Sequence, residues 1–400
     1  MTDVVIVKFG EIALKGANRP RFEKALLRNL RWAVRDLPGA KVVHQHGRYR
    51  IEGADTVAIQ ARVTRVFGVV GTSIAQAVTP TYEAIALAAE HVLKKAESAG
   101  RVTFKVESRR SDKSFPLTSP ELNSRLGAQL LAACPHMKVD VHNPQVTVSV
   151  EVRVNVGYVY AETLQGPGGL PVGASSQGLL LISGGIDSPV AGWLAMRRGI
   201  RLAGIHFHSV PYTSERAQQK VIELMEILAA YAGDIPLYMV RLTEAQLQLQ
   251  AESPPALMIT LMRRLMLRVA TRLAAAHGIP ALITGESVGQ VASQTLESLA
   301  VINAVTTTPI LRPLVTYDKS EITAVARGIG TYETSIMPYE DCCTLFLPRH
   351  PETRPSAEMV EKAEAKLDIR GMVEACLASV EKIIARPHPA ASLYQGGPLT

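Results

Sequence analysis

Short runs of apolar residues alternate with longer amphipathic segments through the second half of the chain. The short runs predict strands at 179–182, 201–206, 236–242, 280–284 and 309–314. The longer segments predict helices at 189–198, 215–231, 256–277, 289–303 and 319–327. Apolar strands that alternate with helices predict a parallel sheet with both faces covered. A ligand of such a sheet binds beyond the carboxyl ends of its strands.

The pattern before residue 164 is different and predicts an α+β arrangement. Strands are predicted at 2–9 and 101–107, and helices at 20–36, 82–97 and 120–133, with a second folding unit that starts near 60–75. Valine then occupies every second position from 146 to 156, with polar residues between. This two-residue period predicts a half-buried strand that turns near 155–157 into a partner.

The stretch LQGPGGLPVGASSQG, residues 164–178, separates the two patterns. It contains five glycines and two prolines, which makes it the clearest linker in the chain. A chain of 400 residues is long enough for two or three domains.

Composition and the amino terminus predict a soluble cytosolic protein. Hydrophobic residues make up 47% of the chain and charged residues 20%, an ordinary globular balance. The first residues, MTDVVIVKFG, do not have the pattern of a secretory signal, and no apolar run approaches bilayer length. The four cysteines, at 134, 342, 343 and 376, form no C-x-x-C pair, which argues against a zinc ribbon or an iron–sulfur cluster.

The net charge of +7 is concentrated in the first part of the chain. Residues 1–178 contain 23 Lys and Arg against 15 Asp and Glu, whereas residues 179–400 contain 20 against 21. A basic excess on one part of a protein favours a polyanionic partner, with nucleic acid the leading candidate. A basic surface that only aids solubility is the alternative.

The segment LLLISGGIDSPVAGWLAMRRG, residues 179–199, predicts a strand, a polar turn and a helix. Ser188 suits the N-cap and Pro189 the first helical position, and Gly199 suits the end of the helix. The backbone N–H groups of the turn and the helix N-terminus then converge on one point, a geometry that binds phosphate. Gly184 and Gly185 allow the backbone to approach an anion closely. The Walker A pattern is absent.

A second short motif, GESVG at residues 285–289, matches the G-x-S-x-G pattern of serine hydrolases. Asp318 or Asp341 and then His350 follow in hydrolase order. A hydrolase would leave SGGIDSP and the basic first part unexplained, so this is the weaker interpretation.

The motif SGGIDS resembles the PP-loop of the ATP pyrophosphatases, which cleave ATP between its α- and β-phosphates. Further segments are similar to the tRNA 4-thiouridine synthetases of the ThiI family over nearly the whole chain. These segments are KFGEIALKGANRPRFEKALLRNL, HFHSVPYTSERAQQKV, MRRLMLRVA, TGESVGQVASQTLES, RPLVTYDKSEI and PYEDCCTLFLPRHPETRP. The resemblance implies a ferredoxin-like domain at 1–60, a THUMP RNA-binding domain at 61–165, the linker at 166–178 and a PP-loop domain at 179–400.

The resemblance also implies an ATP site. Its expected members are Leu181, Ile182, Ser183, Gly184, Gly185, Ser188, His206, Phe207, Arg263, Gly285 and Gln294. For His206 we expect the backbone, rather than the imidazole, to matter. Asp187 is expected to hold Mg²⁺ or to position the phosphates, because a carboxylate beside phosphates is repelled unless a cation lies between them. A side-chain cap of the turn is its alternative role. Lys319 resembles a family lysine that assists at the phosphates.

The implied reaction is the ATP-dependent conversion of a tRNA uridine, at position eight, into 4-thiouridine. Uridine O4 attacks the α-phosphorus of ATP, and a cysteine persulfide then supplies sulfur to C4. Cys343 is the expected persulfide carrier, with Cys342 second, and a buried structural thiol is the alternative. We expect the protein to lack the rhodanese-like domain of longer relatives, so Cys342, Cys376 or an external thiol is expected to resolve the persulfide. Sulfur is expected from a separate cysteine desulfurase.

Two basic clusters are the expected contacts for tRNA. Arg21, Lys24, Arg28, Arg31 and Arg35 are spaced as one stripe along a helix. Arg109, Arg110 and Lys113 lie in the THUMP-like segment, where the acceptor end is the expected partner. A solvated basic face explains the stripe about as well.

Two other classes of protein stay open. A PP-loop synthetase that acts on a small substrate would need the ATP site but not the basic first part of the chain. A non-catalytic RNA-binding protein would need only the basic first part. The sequence does not fix the oligomeric state, and a homodimer is an option.

Overall fold

The computed structural model describes residues 2–45, 47–339 and 350–387. The chain divides into two compact units, residues 1–168 and residues 169–400. Each unit has its own sheet and its own apolar core, and each is described by itself below.

Unit 1 contains one mixed sheet whose strands are ordered β2-β3-β1-β4-β8-β7-β5-β6, with β9 paired to β4. The strands are β1 (Thr2–Phe9), β2 (Lys41–Gln45), β3 (Arg48–Glu52), β4 (Val69–Val78), β5 (Thr103–Arg110), β6 (Lys138–Val139), β7 (Val146–Arg153), β8 (Val156–Tyr160) and β9 (Leu164–Gln165). Strand β4 pairs with β1 on one side and with β8 on the other, so the sheet runs without a break through the expected boundary near residue 60. The valine-rich hairpin β7–β8 turns at Val154–Asn155, close to its predicted position.

Four helices of unit 1 pack on one face of this sheet. They are α1 (Arg19–Ala33), α2 (Thr56–Val63), α3 (Tyr82–Ser98) and α4 (Ser119–Ala133). Helix α4 begins with a capping box between Thr118 and Glu121, which satisfies the first backbone N–H groups. Two apolar clusters lie beneath the helices. One includes Val5 and Leu26, and the other includes Val150 and Leu126.

The opposite face of the sheet is covered by none of these four helices. Its apolar centre is Val4, Ile6, Ala75, Tyr158 and Tyr160, a cluster that contains no helical residue. Strand pairing places Lys8, Arg50, Glu151 and Arg109 on this same face, because residues paired across a sheet project to the same side. We call it the helix-free face.

Unit 2 is built on a sheet ordered β14-β13-β10-β11-β12-β15 in the described part of the chain. Its strands are β10 (Gln177–Leu181), β11 (Arg201–His208), β12 (Ile235–Arg241), β13 (Ala281–Ile283), β14 (Ile310–Leu311) and β15 (Glu381–Ala385). The first five run parallel, as predicted, and β15 pairs antiparallel with β12. The alternation of strands and helices explains this arrangement.

The helices of unit 2 pack against this sheet or against one another. They are α5 (Asp187–Arg197), α6 (Glu215–Ala232), α7 (Thr243–Glu252), α8 (Met258–Ala276), α9 (Leu296–Asn303), α10 (Lys319–Ile329), α11 (Tyr332–Ser335), α12 (Ala357–Glu364) and α13 (Ile369–Ala378). The core on one side of the sheet joins Leu179 and Ile205 to Leu261 and Leu265 of α8. Among the described residues, no helix is long and apolar enough to cross a bilayer.

Two local predictions are wrong. Helix α5 begins at Asp187, so Ser188 and Pro189 lie inside it, and the N-cap position is Ile186, which has no capping side chain. Helix α9 begins at Leu296 rather than near 289, because Gly289 has a φ of 80° and its N–H bonds the Gln294 carbonyl in a closed loop. Gly199, with a φ of 83°, follows the end of α5 as predicted.

Candidate functional site

A cavity of about 320 Å³ lies in unit 2 beyond the carboxyl ends of strands β10, β11 and β13. Most of the residues expected at an ATP site line it, together with Asp187. They are Leu181, Ile182, Ser183, Ser188, His206, Phe207, Arg263, Gly285 and Gln294. Apolar side chains of α8, among them Met262 and Met266, complete one wall. Five separate segments of the sequence therefore converge on one space, in the place that a parallel sheet predicts.

Two serines hold the turn of residues 183–187, namely Ser183 within the turn and Ser188 in the first turn of α5. Ser188 Oγ accepts a hydrogen bond from the Ser183 N–H at 2.9 Å and lies 3.2 Å from Ser183 Oγ. The Gly185 N–H donates to Ser183 Oγ at 3.3 Å. Within the described part of the chain, a methyl group added at Gly185 would meet only that same oxygen, at 3.5 Å. Ser188 thus organises the turn from inside the helix, and no other described residue crowds the space next to Gly185.

Gly285 allows the loop after β13 to touch the start of α5. A Cβ atom at this position would lie 2.7 Å from the Ser188 nitrogen and 2.8 Å from the Asp187 carbonyl carbon. Real Cβ contacts are essentially never this short, so residue 285 must be glycine for the two loops to meet. The predicted ATP contact at Gly285 therefore also has a structural requirement.

Asp187 is the first residue of α5, and both of its carboxylate oxygens have partners. Lys319 Nζ, at the start of α10, donates to Oδ1 at 2.7 Å, and Gln290 Nε2 donates to Oδ2 at 2.8 Å. The two residues predicted to act at the phosphates, Asp187 and Lys319, form an ion pair although they are 132 positions apart. The Lys319 side chain is half exposed and that of Asp187 is 21% exposed.

Glu286 is a buried carboxylate at the cavity wall that the sequence argument did not identify. Arg263 and Arg312 both form ion pairs with it, and Thr284 Oγ1 donates to it at 2.8 Å. Burial opposes ionisation of Glu286, but the two guanidinium groups and the threonine hydroxyl outweigh burial and lower its pKa. Arg263 also donates to the Ser293 carbonyl at 2.9 Å, so its guanidinium is fixed at the cavity.

His206 is buried, and its Nδ1 lies 3.0 Å from the Ile182 carbonyl oxygen. A carbonyl can only accept, so Nδ1 carries the proton and donates. The imidazole thereby supports the end of β10. The expectation that the backbone of His206, rather than its imidazole, matters for ATP stays a prediction.

The hydrolase interpretation of GESVG is not supported by the geometry. Ser287 is buried, and its hydroxyl donates to the Tyr317 carbonyl at 2.7 Å. Asp318 caps helix α10 by accepting from the Glu321 N–H at 2.9 Å. The serine and the aspartate therefore have structural roles rather than the orientation of a catalytic triad.

The predicted sulfur carriers, Cys342 and Cys343, and also Asp341, lie outside the described residues. The described chain on either side of them is hydrogen-bonded to other segments of unit 2. Lys220 Nζ, buried in α6, donates to the Met337 carbonyl at 2.9 Å. On the far side, Thr295 Oγ1 donates to the Thr353 carbonyl at 2.6 Å.

Cys376 was one option for the thiol that resolves a persulfide. It is only 2% exposed, and burial, with a smaller contribution from Glu244, raises its pKa to about 11. Neither property suits a thiol that must react as a thiolate. Cys134 is likewise buried, and burial raises its pKa.

The basic residues predicted to contact tRNA have different surroundings in unit 1. The five residues of the predicted α1 stripe, Arg21, Lys24, Arg28, Arg31 and Arg35, are exposed, and Arg35 lies just beyond the end of α1. Arg35 folds back, with its guanidinium donating to the Trp32 carbonyl at 2.8 Å. Arg109 and Lys113 are exposed, whereas Arg110 donates to the carbonyls of Phe115 and Leu117 at 2.7 and 2.9 Å and so orders the following loop.

The described residues contain no cluster of three or more His, Cys, Asp or Glu side chains that could hold a metal ion. Besides Glu286, the sequence argument missed Gln290, Thr284 and Arg312. Glu286 directly follows a strand predicted to be buried, and this position could have identified it as a candidate site residue. The partners of Glu286 come from distant segments, so the sequence could not reveal them.

Three family models match successive parts of the chain. The ThiI ferredoxin-like domain matches residues 4–73, the THUMP domain residues 80–162, and the Thiamine biosynthesis protein (ThiI) model residues 173–369. These matches confirm the predicted fold class, with ferredoxin-like and THUMP domains followed by a parallel-sheet domain.

Two relatives that match nearly the whole chain have the same description. A probable tRNA sulfurtransferase of Moorella thermoacetica is 50% identical over 384 residues, which is 96% of this chain and 98% of that protein. A probable tRNA sulfurtransferase of Caldanaerobacter subterraneus is 46% identical over 376 residues, covering 94% and 98%. A solved 4-thiouridine synthetase in complex with RNA and bound ATP matches with a TM-score of 0.90 and 38% identity, covering 96% of this chain and all of that one. Because the similarity to these proteins extends over nearly the whole length, the chain belongs to the ThiI family.

Proposed function

We propose that this protein is an ATP-dependent tRNA sulfurtransferase that converts a tRNA uridine, at position eight, into 4-thiouridine. The observation that carries the proposal is the convergence of five segments on one cavity beside the glycine turn. The names of the full-length relatives, and the solved relative with RNA and ATP, support the same reaction.

The cavity suits ATP. Its apolar part, from Phe207 to Met262 and Met266, offers a surface for the adenine ring. The turn of residues 183–187 and the N-terminus of α5 offer backbone N–H groups to the phosphates. ATP supplies the adenylyl group that turns uridine O4 into a leaving group. The residues of this chain bind the nucleotide and position the α-phosphate for attack.

Asp187 and Lys319 form the polar end of the site. We propose that the Lys319 ammonium moves from the carboxylate towards the phosphates, since it is half exposed and lies at a helix start. Asp187 then faces the phosphates and holds Mg²⁺ or positions Lys319. A single carboxylate fits a magnesium ion that keeps most of its ligands as water and phosphate oxygen.

The sulfur-transfer half of the reaction is assigned to Cys343, with Cys342 second. A cysteine desulfurase is the proposed donor of the persulfide sulfur. Because Cys376 is buried, we propose that the resolving thiol is Cys342 or one from outside the chain. Serine substitution at each position separately tests this, and normal thiolation by both single variants would refute the assignment.

Unit 1 is the proposed tRNA-binding part. It carries the basic excess of the chain, and the α1 stripe, Arg109 and Lys113 are exposed and able to meet phosphate. Arg110, tied into its loop, is proposed to act indirectly by holding that loop. A cytoplasmic location and a homodimer stay predictions from the sequence.

The deciding experiment supplies the protein with ATP, Mg²⁺, cysteine, a cysteine desulfurase and an unmodified tRNA transcript. We expect pyrophosphate release that depends on tRNA, and near-ultraviolet absorbance from thiouridine. Pyrophosphate release without thiouridine would favour a different product of the same ATP site. The absence of both would refute the proposal and favour an RNA-binding protein without catalysis.

A further inference from the structure

The GESVG motif, residues 285–289, belongs to a loop between β13 and α9 that is held at both of its ends. Glu286, near its beginning, forms ion pairs with Arg263 and Arg312. Near its end, the Ser293 carbonyl accepts a hydrogen bond from Arg263 at 2.9 Å. One arginine of α8 therefore contacts both ends of the loop, at the wall of the cavity.

Hydrogen bonds inside the loop close it into a compact turn. The Gly289 N–H donates to the Gln294 carbonyl at 2.9 Å, and the Ser287 N–H donates to Gln294 Oε1 at 3.2 Å. Gly289 has a φ of 80°, a conformation in which any other residue would be strained. The residue that follows, Gln290, thus lies at the tip of a loop whose backbone is closed by its own hydrogen bonds.

The same loop is joined to the segment that leads into α10. Ser287 Oγ donates to the Tyr317 carbonyl at 2.7 Å, and the Val288 N–H donates to the Val315 carbonyl at 3.2 Å. Lys319, the first residue of α10, follows two positions after Tyr317. The loop and the start of α10 therefore hold each other in place.

The carboxylate of Asp187 receives one hydrogen bond from each of these two segments. Gln290 Nε2 donates to Oδ2 at 2.8 Å, and Lys319 Nζ donates to Oδ1 at 2.7 Å. The lysine is 49% exposed and has a flexible four-carbon stem, so its ammonium can change partners. The amide of Gln290 comes from the closed loop and carries no charge that phosphates would attract. A carboxylate without such a bond turns easily about its terminal torsion.

We propose that Gln290 is a positioning residue for the adenylation step, and that it acts through Asp187. When the ammonium of Lys319 leaves Oδ1 for the phosphates, the amide of Gln290 still holds Oδ2 and keeps the carboxylate in one orientation. The inference rests on the proposed function, because it takes adenylyl transfer from ATP as the reaction and adds a residue to it. It also gives the GESVG motif a role, which is to shape and anchor the loop that carries Gln290.

The test uses the full chain and measures pyrophosphate release with an unmodified tRNA transcript over a series of ATP concentrations. Q290L removes the amide, and Q290E keeps the shape of the side chain but replaces the donor with an acceptor. We expect both variants to lower kcat at least about tenfold, because a misplaced reacting group can cost up to about 100-fold in rate. The KM for ATP should change less than about threefold, since the interaction is used in the reaction and not in nucleotide binding.

Q248L is the matched control. Gln248 Nε2 also donates to a carboxylate of unit 2, Glu252 Oε2 at 3.5 Å, and in the described part of the chain neither residue lines the cavity. This variant should keep the kcat of wild type. The midpoint of urea unfolding, measured for all variants, should stay close to that of wild type for Q290L and Q290E, because Gln290 is only half-buried.

A wild-type kcat in either Q290L or Q290E would overturn the inference. A fall in kcat accompanied by weaker ATP binding and a lower urea midpoint would also overturn it, because Gln290 would then only hold the loop together. Wild-type protein that released no pyrophosphate with ATP and tRNA would instead overturn the proposed function, and the inference with it.

Discussion

Replacing Gly285 with alanine tests whether the contact between the loop after β13 and helix α5 forms the nucleotide site. The new Cβ would lie 2.7–2.8 Å from three backbone atoms of Asp187 and Ser188. These atoms belong to a helix start and cannot rotate away as a side chain would. Restoring an ordinary contact needs a separation of roughly 0.7 Å more, and overpacking of this kind costs about 1–3 kcal/mol.

The separation would also displace the walls of the cavity, because Ser188 organises the turn and Gly285 lines the opposite side. We therefore expect the G285A variant to unfold at a lower urea concentration. We also expect it to bind ATP at least about tenfold more weakly, because about 1.4 kcal/mol of the overpacking cost corresponds to a factor of ten in affinity. Trp193 is buried in α5 and reports on this region in a protein whose Trp32 is replaced by phenylalanine. Unfolding is followed by its fluorescence, and ATP affinity by equilibrium dialysis.

Gly185→Ala is the matched control. Among the residues that the structure describes, its methyl group would touch only Ser183 Oγ at 3.5 Å, so stability should change by less than about 0.5 kcal/mol. If phosphates rest beside the turn, this variant still binds ATP less well. A G285A protein with wild-type stability and wild-type ATP affinity would show that the close approach is not needed, and the reasoning would be wrong.

Three further outcomes follow from the ion pairs of unit 2. Lys319→Met removes a half-exposed partner of Asp187, so the free energy of unfolding should fall by less than about 1 kcal/mol. Pyrophosphate release should fall at least about 100-fold, because the lysine is proposed to act at the phosphates. A variant with normal pyrophosphate release would contradict that role. Glu286→Gln leaves two guanidinium groups without a carboxylate and should lower the free energy of unfolding in urea by about 3 kcal/mol. A change near zero would show that stability does not depend on these ion pairs. Glu286 and Glu364 have lowered pKa values, so their contribution to stability is complete above the ordinary glutamate range and is lost as the pH falls from about 5. Stability measured from pH 6 to pH 3 should therefore fall less steeply in a variant with Gln at both positions than in wild type.

The parallel sheet of unit 2 could be predicted because its signals are local. Each strand is a short apolar run, and each helix has an apolar stripe of the right period, so the order of elements follows from the sequence alone. Strand β15 was missed because its sequence, EKIIA, has charges at one end and no clear alternation. Its place in the sheet depends on pairing with β12, about 145 residues earlier, which no local pattern encodes.

The sequence predicts most of the residues that line the site, but not the hydrogen bonds and ion pairs between them. The composition of the glycine turn and the positions of the strand ends are visible in the sequence and predict the site. The predicted N-cap at Ser188 is wrong because the helix begins one residue earlier and the Ser188 hydroxyl accepts from the Ser183 N–H in the turn. The Glu286 network needs Arg263 and Arg312 at once, and only the fold brings these three together.

Helix α8 carries two neighbouring arginines that bind in different directions. Arg263 reaches Glu286 at the cavity, and Arg264 forms a two-pronged pair with Glu364 of α12 at 2.8 and 2.9 Å. A third arginine, Arg268, holds the same carboxylate one turn later. The helix can therefore neither roll about its long axis nor slide along it without breaking a charged contact at one end or the other. A change that displaced α12 would therefore also shift Arg263 and Glu286 at the cavity, although α12 contributes no described residue to the cavity lining.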